Sequence, residues 1–245
     1  MAQLGLDFPT KWGRGYSARI VRNLIQGYML APFVRYMSSL EVQGLEHLSG
    51  PGPFIFAANH TSHLDTPLVL TALPDSQRKR TVVAAAMDNF FMSASKGFPT
   101  VLIFNAIPID RHKINRRSAQ LALELVEDKW NLLIYPEGGR TPDGALQDFK
   151  GGAAYLAQRA NATVIPVYIH GAGEIQGPKF AKAPQYTTAK NNQRHHVVVA
   201  FGPGLQADDN ENLRHLSGRI EEAVIKLGRE VSGDTEFGAP RPSAS

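Results

Sequence analysis

Apolar residues along this chain fall into short unbroken runs. Between Gly44 and Gly202 the runs FIFAA, TVVAAA, NLLIY and VIPVYI carry no interior polar position. A strand with one wet face alternates, so a strand that is apolar throughout is buried on both faces. The runs predict strands over Phe54–Ala58, Thr81–Ala85, Ile107–Asp110, Leu132–Tyr135, Val164–Ile169 and Val197–Phe201. Helix-like segments separate them at Thr66–Ala72, Arg117–Asp128 and Gly152–Ala160, and a closing helix is expected around Glu211–Arg229. Strands alternating with helices define an α/β fold with a mainly parallel mixed sheet flanked by helices. In such sheets ligands bind beyond the carboxyl ends of the strands, which directs the search for chemistry there.

The first forty residues follow another rule. At about 100° per residue, Ile20, Val21, Leu24, Ile25 and Tyr28 share one arc of a helix, while Arg19, Arg22, Asn23 and Gln26 share the opposite arc. Pro32 is expected to break or kink that helix, with Phe33, Met37 and Leu40 continuing an apolar face beyond it. The expectation is an N-terminal amphipathic helical hairpin over residues 14–40. Periodicity alone fits a stripe packed onto the domain as well as one laid on a membrane. Charge shifts that balance. Lys11, Arg14, Arg19, Arg22 and Arg35 meet only Asp7 in residues 1–40, so the formal net charge of +4 sits entirely in this segment. A basic arm on a neutral body suits an anionic partner, lipid or nucleic acid.

No apolar run approaches the roughly 18 residues that span a bilayer. Residues 1–15 also lack the apolar core of a signal peptide. Contact with a membrane without crossing it is therefore expected. The stretch SGDTEFGAPRPSAS from Ser232 reads as a disordered tail. The expected organisation is a basic membrane-contact segment over residues 1–43, one domain over 44–231 and the tail over 232–245.

The chain contains no cysteine, which excludes a thiolate nucleophile, a thiolate metal site and a disulfide scaffold. The first predicted strand runs directly into Asn59-His60-Thr61-Ser62-His63-Leu64-Asp65. On a regular helix a five-residue offset would turn His60 and Asp65 about 140° apart. Their pairing therefore requires a tight turn that ends where a helix begins, with Thr66 as N-cap and Pro67 at the first helical position. In that arrangement Asp65 fixes the imidazole tautomer and His60 takes a proton from an attacking hydroxyl. The plainer alternative is a helix-capping Asp65 beside a polar loop His60. A metal site on His60, His63 and Asp65 is a third reading, although no further ligand cluster follows at suitable spacing.

A second strand end leads into Pro136-Glu137-Gly138-Gly139-Arg140-Thr141-Pro142-Asp143-Gly144. Paired glycines allow close backbone approach to an anion, and an arginine can grip a phosphate through two parallel hydrogen bonds. Glu137 would orient that arginine or a substrate hydroxyl. The alternative is a surface turn with a solvated ion pair. A third strand end, AIPIDR, presents Arg111, with Lys113, Arg116 and Arg117 behind it; the last two are expected as surface charge in the next helix. Phe149-Lys150-Gly151-Gly152 opens a helix whose N-terminus also favours anions.

NHTSHLD, AIPIDR, YPEGGRTPDG and VIPVYIHG, each at a strand end and in this order, resemble the four blocks of the glycerophospholipid acyltransferase family, the lysophosphatidic-acid acyltransferase branch in particular. The resemblance spans residues 40–205. It implies a catalytic His60–Asp65 pair and phosphate binding through Arg111 and Arg140, with Glu137, Gly138 and Gly139 in the substrate site. It implies acyl-CoA or acyl-carrier protein as co-substrate, with no cofactor and no metal, and a lysophospholipid acceptor, foremost 1-acyl-sn-glycerol-3-phosphate giving phosphatidic acid. With a lipid substrate the basic arm points to an anionic membrane surface and not to nucleic acid. A peripheral place on the cytoplasmic face of the membrane follows.

Two departures bear on the acceptor headgroup. Gly139 stands where the family usually shows Thr or Ser, and the lysine often seen upstream of the second block is replaced by Met87 or Asp88. No G-x-S-x-G occurs, so direct transfer without an acyl-enzyme is expected. The competing readings are a metal-dependent hydrolase on His60, His63 and Asp65, acylation of a different lipid or glycolipid, and a non-catalytic binding module.

Overall fold

A computed structural model describes residues 4–111, 116–141, 146–175 and 194–239 of the 245-residue chain. Seven strands, β1 (Ser38–Gln43), β2 (Phe54–Ala58), β3 (Thr81–Ala86), β4 (Ala106–Ile109), β5 (Asn131–Ile134), β6 (Thr163–His170) and β7 (His195–Phe201), form one sheet in the order β1-β7-β6-β2-β5-β3-β4. β2 lies between β5 and β6, parallel to both. β7 runs antiparallel to β6 and parallel to β1. The mainly parallel mixed sheet expected from the apolar runs is present.

Those runs are buried on both faces because β2 separates two cores. Phe54, Phe56 and Ala58 pack with Leu64, Leu68, Val69 and Val101 on one side. Ile55 and Ala57 pack with Ala122, Val126, Ala153, Leu216 and Ile220 on the other. Helices Asp65–Ala72 and Ala94–Phe104 cover the first face, and helices Arg116–Glu127, Gly152–Ala160 and Leu213–Ser232 cover the second. β1 is the strand the hydrophobic pattern does not reveal. It sits at the sheet edge, only Leu40 and Val42 are apolar, and its burial alternates, so on sequence it reads as a continuation of the helix before it.

The N-terminal helices are present, joined differently from expectation. Tyr16–Ile25, a π-helical stretch Gln26–Leu30 and Ala31–Met37 follow one another without a loop. Pro32 falls in the first turn after the π-helical stretch, and the widened turn accommodates its ring and missing donor. The amphipathic pattern is inverted relative to an ordinary surface helix. Arg22 and Gln26 are buried, whereas Leu24 is 53% and Tyr28 80% exposed. Arg22 Nε donates to Leu102 O at 2.9 Å, its Nη2 donates to the carbonyls of Gly13 and Val101, and Gln26 Nε2 donates to Ile103 O at 2.8 Å. The carbonyls of Val101, Leu102 and Ile103 close the helix Ala94–Phe104, where a cation also meets the negative end of the helix dipole, and that of Gly13 belongs to the turn before the N-terminal helix. Burial first, then Arg14 and Arg19, lower the Arg22 pKa to about 10, so it stays charged at neutral pH. Met37, expected on the outer apolar face, is buried. Among the described residues no helix is long and apolar enough to cross a membrane.

The chain beyond Ser232, expected to be disordered, turns back as far as it is described. Phe237 packs edge-on against Tyr168 at 5.0 Å, and its carbonyl accepts from Arg229 Nε at 2.9 Å. A single aromatic in a Gly- and Pro-rich stretch supplies the anchor that composition does not reveal. Residues 240–245 lie outside the described residues.

Candidate active site

β2 ends at Ala58, and the next six residues turn without helix until Asp65 opens the helix Asp65–Ala72. This is the tight turn that the five-residue offset requires. One carboxylate oxygen organises it: Asp65 Oδ2 accepts from His60 Nδ1, Thr61 N and Ser62 N, each at 2.8 Å. Asp65 is fully buried, whereas the His60 side chain keeps 21% exposure. Nδ1 is thus committed to Asp65, and Nε2 has no hydrogen bond among the described residues. The helix begins one residue earlier than expected, and Thr66 does not cap it. Its hydroxyl instead bonds the Tyr135 hydroxyl at 2.8 Å. The Tyr135 ring stacks on His60 with centroids 4.1 Å apart and planes 21° from parallel. Burial raises the Tyr135 pKa well above its ordinary value, so it stays a neutral ring support.

Asn59, which carried no assignment on sequence, locks the end of β2 to β6. Its Oδ1 accepts from Ile169 N at 2.7 Å and its Nδ2 donates to Ile169 O at 3.1 Å. Glu137 has a role different from the expected one. It is buried, and its two oxygens accept from His60 N at 2.7 Å and Gln147 N at 3.0 Å, so among the described residues its hydrogen bonds hold the histidine turn and not an arginine. Thr141 N reinforces the link by donating to His60 O at 3.1 Å. Burial raises the Glu137 pKa to about 7; the two amide bonds oppose the shift, and Asp65 and Glu221 add to it.

The glycine turn follows β5. Gly138 adopts φ +71°, a conformation that disfavours any side chain, while Gly139 opens onto free space. Arg140 is half-buried and close enough to influence His63. Partial burial, then Arg140 and His60, push the His63 pKa down to about 4, with Asp65 opposing. His63 is therefore neutral at physiological pH. Arg111 leaves the end of β4 toward Asp88, with Nη2 2.6 Å from Asp88 Oδ2. Arg116 and Arg117 open the next helix as expected, and Arg117 pairs with Asp7. His195 and His196 point to opposite sides of β7, with side chains 13% and 61% exposed. Among the described residues no group of three His, Cys, Asp or Glu side chains is placed to hold a metal ion. Lys113, Pro142, Asp143 and Gly144 lie outside the described residues.

The geometry therefore brings His60, Asp65 and Glu137 into one corner, with Arg140 and the glycine turn beside it and Arg111 on the adjoining rim. Residues 39–170 match the acyltransferase family model, and the chain belongs to that family: it is an acyltransferase. Among its relatives are mouse 1-acyl-sn-glycerol-3-phosphate acyltransferase alpha, 26% identical over 202 residues (81% of this chain and 67% of the relative), and human 1-acyl-sn-glycerol-3-phosphate acyltransferase beta, 30% identical over 161 residues (62% and 54%). The crystal structure of the 1-acyl-sn-glycerophosphate acyltransferase PlsC from Thermotoga maritima shares the fold with a TM-score of 0.67 at 21% identity, covering 89% of this chain and 83% of that one.

Proposed function

We propose that the protein transfers a fatty-acyl group from the thioester of acyl-CoA or acyl-carrier protein to the free hydroxyl of 1-acyl-sn-glycerol-3-phosphate, giving phosphatidic acid. The observation that carries this reading is the His60–Asp65 pair, with Nδ1 held at 2.8 Å and the other ring nitrogen left available at a partly open strand end. His60 Nε2 removes the proton from the acceptor hydroxyl as its oxygen attacks the thioester carbonyl. Asp65 stabilises the imidazolium, and the Gly139 amide is the turn's donor for the tetrahedral oxyanion, since Gly138 N–H is bonded to Tyr135 O at 3.0 Å. Collapse breaks the carbon–sulfur bond, and the departing thiolate recovers the proton from His60. A thioester is already activated, so one positioned base and a bound acceptor suffice. Arg140 and Arg111 hold the acceptor's phosphate. The names of the relatives support this acceptor.

The exposed apolar face of residues 16–37 supports docking on an anionic membrane surface, peripheral and cytoplasmic, where such an acceptor resides. The deciding experiment incubates purified protein with labelled acyl-CoA and a panel of lysolipids and glycolipids, and resolves products by mass spectrometry. Labelled phosphatidic acid formed by wild type and lost in His60→Ala is expected. Acylation of some other acceptor alone, or an undiminished His60→Ala rate, overturns the proposal.

A further inference from the structure

The cationic rim of the site has a member that the mechanism above leaves unused. Lys150 precedes the helix Gly152–Ala160, and its main-chain N–H donates to Pro136 O at 2.9 Å, which keeps it beside the glycine turn. Its ammonium donates to Arg111 O at 2.8 Å. It also lies against Gly138 so closely that any β-carbon at that position would collide with it. An ammonium has three donors, and no ion pair involving Lys150 is present among the described residues. Arg111 is in the opposite condition, because its guanidinium is already engaged by Asp88 at 2.6 Å.

We propose that Lys150 is a third cation for the acceptor's phosphate, and that Asp88 restrains Arg111 so that only a strongly charged headgroup recruits it. This rests on the lysophosphatidate reading given above. A phosphate monoester carries nearly two negative charges near neutral pH. It can bind Lys150 and Arg140 together and still compete with Asp88 for Arg111. A phosphodiester headgroup carries one charge and a neutral lipid none, so neither draws Arg111 from its carboxylate. The residue pair Asp88 and Lys150 thereby sets headgroup selectivity, while His60 and Asp65 carry out the chemistry.

Steady-state kinetics at saturating acyl-CoA, with lysophosphatidic acid and lysophosphatidylcholine as alternative acceptors, test this on the full chain. Lys150→Met is expected to raise the KM for lysophosphatidic acid about tenfold, the size of one charge-assisted contact, with kcat and donor KM little changed. Lys150→Arg keeps the charge and should stay within about threefold of wild type. Asp88→Asn frees Arg111, so it should recover part of the loss in the Lys150→Met background and narrow the gap between the two acceptors. Should Lys150→Met fail to fold, Lys150→Gln retains an N–H for the Arg111 carbonyl without the charge, and the same KM shift is expected. If wild type acylates lysophosphatidic acid while the charge-removing variants keep its KM, this inference fails and the functional reading stands. If kcat falls and both KM values rise together, Lys150 is only a tether for the Arg111 loop. If wild type does not acylate lysophosphatidic acid at all, the functional reading itself has failed.

Discussion

The His60–Asp65 corner and the N-terminal helix both bury charged groups against backbone, to opposite ends. In the corner, Asp65 and Glu137 accept main-chain N–H groups and so fix where a histidine stands. In the helix, Arg22 and Gln26 donate to main-chain carbonyls and so fix which way an apolar face points. One arrangement aims an imidazole nitrogen and the other aims a greasy surface. Buried polar side chains are costly unless satisfied, so in both regions the hydrogen-bond pattern specifies an orientation that packing alone would leave open.

The largest effect expected from breaking this comparison lies in the corner. Asp65→Asn or His60→Ala should lower kcat by roughly 10²–10⁴-fold with the fold retained by circular dichroism. His63→Ala, which removes a histidine already neutral at physiological pH, should stay within a few-fold in the same assay. Equal damage from His60→Ala and His63→Ala would dissolve the His60–Asp65 assignment. Next in size is the helix anchor. Arg22→Ala removes the side-chain donor of Leu102 O and Gly13 O, while Val101 O keeps Asn105 N, and should lower stability in urea by about 3 kcal/mol. A variant as stable as wild type would mean that Arg22 does not hold the helix to Ala94–Phe104.

Glu137 sharpens the contrast through pH. Its folded pKa is raised from 4.5 to about 7, so the folded state binds a proton that the unfolded state has already lost between those values. Its contribution to stability is therefore present below about 4.5 and lost as pH rises through about 7. Glu137→Gln does not incur the ionisation cost. Its stability relative to wild type should rise between pH 5 and pH 8, by no more than about 3 kcal/mol, in paired urea titrations. A relative stability that falls over this range would contradict the assigned shift. The smallest expected effect in solution is at the exposed stripe. Leu24→Asn should change stability by less than about 0.5 kcal/mol yet weaken flotation with anionic liposomes several-fold. Strong destabilisation with unchanged flotation would place Leu24 in a protein core instead.

What the sequence makes legible follows from what each feature depends on. Buried parallel strands show as apolar runs because both faces are covered, and the histidine–aspartate turn shows because five residues cannot pair along a regular helix. The edge strand β1 is hidden because half of it is wet. The inversion of the N-terminal helix is hidden for a different reason. Periodicity divides Arg22 and Leu24 between two arcs, but which arc faces inward depends on the Leu102 and Ile103 carbonyls some eighty residues away. Glu137 stands out on sequence from its place beside two glycines. Its partners are main-chain amides of His60 and Gln147, which no residue pattern encodes.

The join between Met37 and Ser38 has a consequence of its own. The helical segment passes directly into β1, and the Ser38 hydroxyl donates back to Val34 O at 2.8 Å across the junction. There is no slack at this joint. On the membrane reading, His60 stands at a distance from the bilayer set by a stiff bracket and not by a tether. Substrate must then rise to a fixed height, and two or three glycines inserted at the joint would blur that height while leaving every side chain of the site in place.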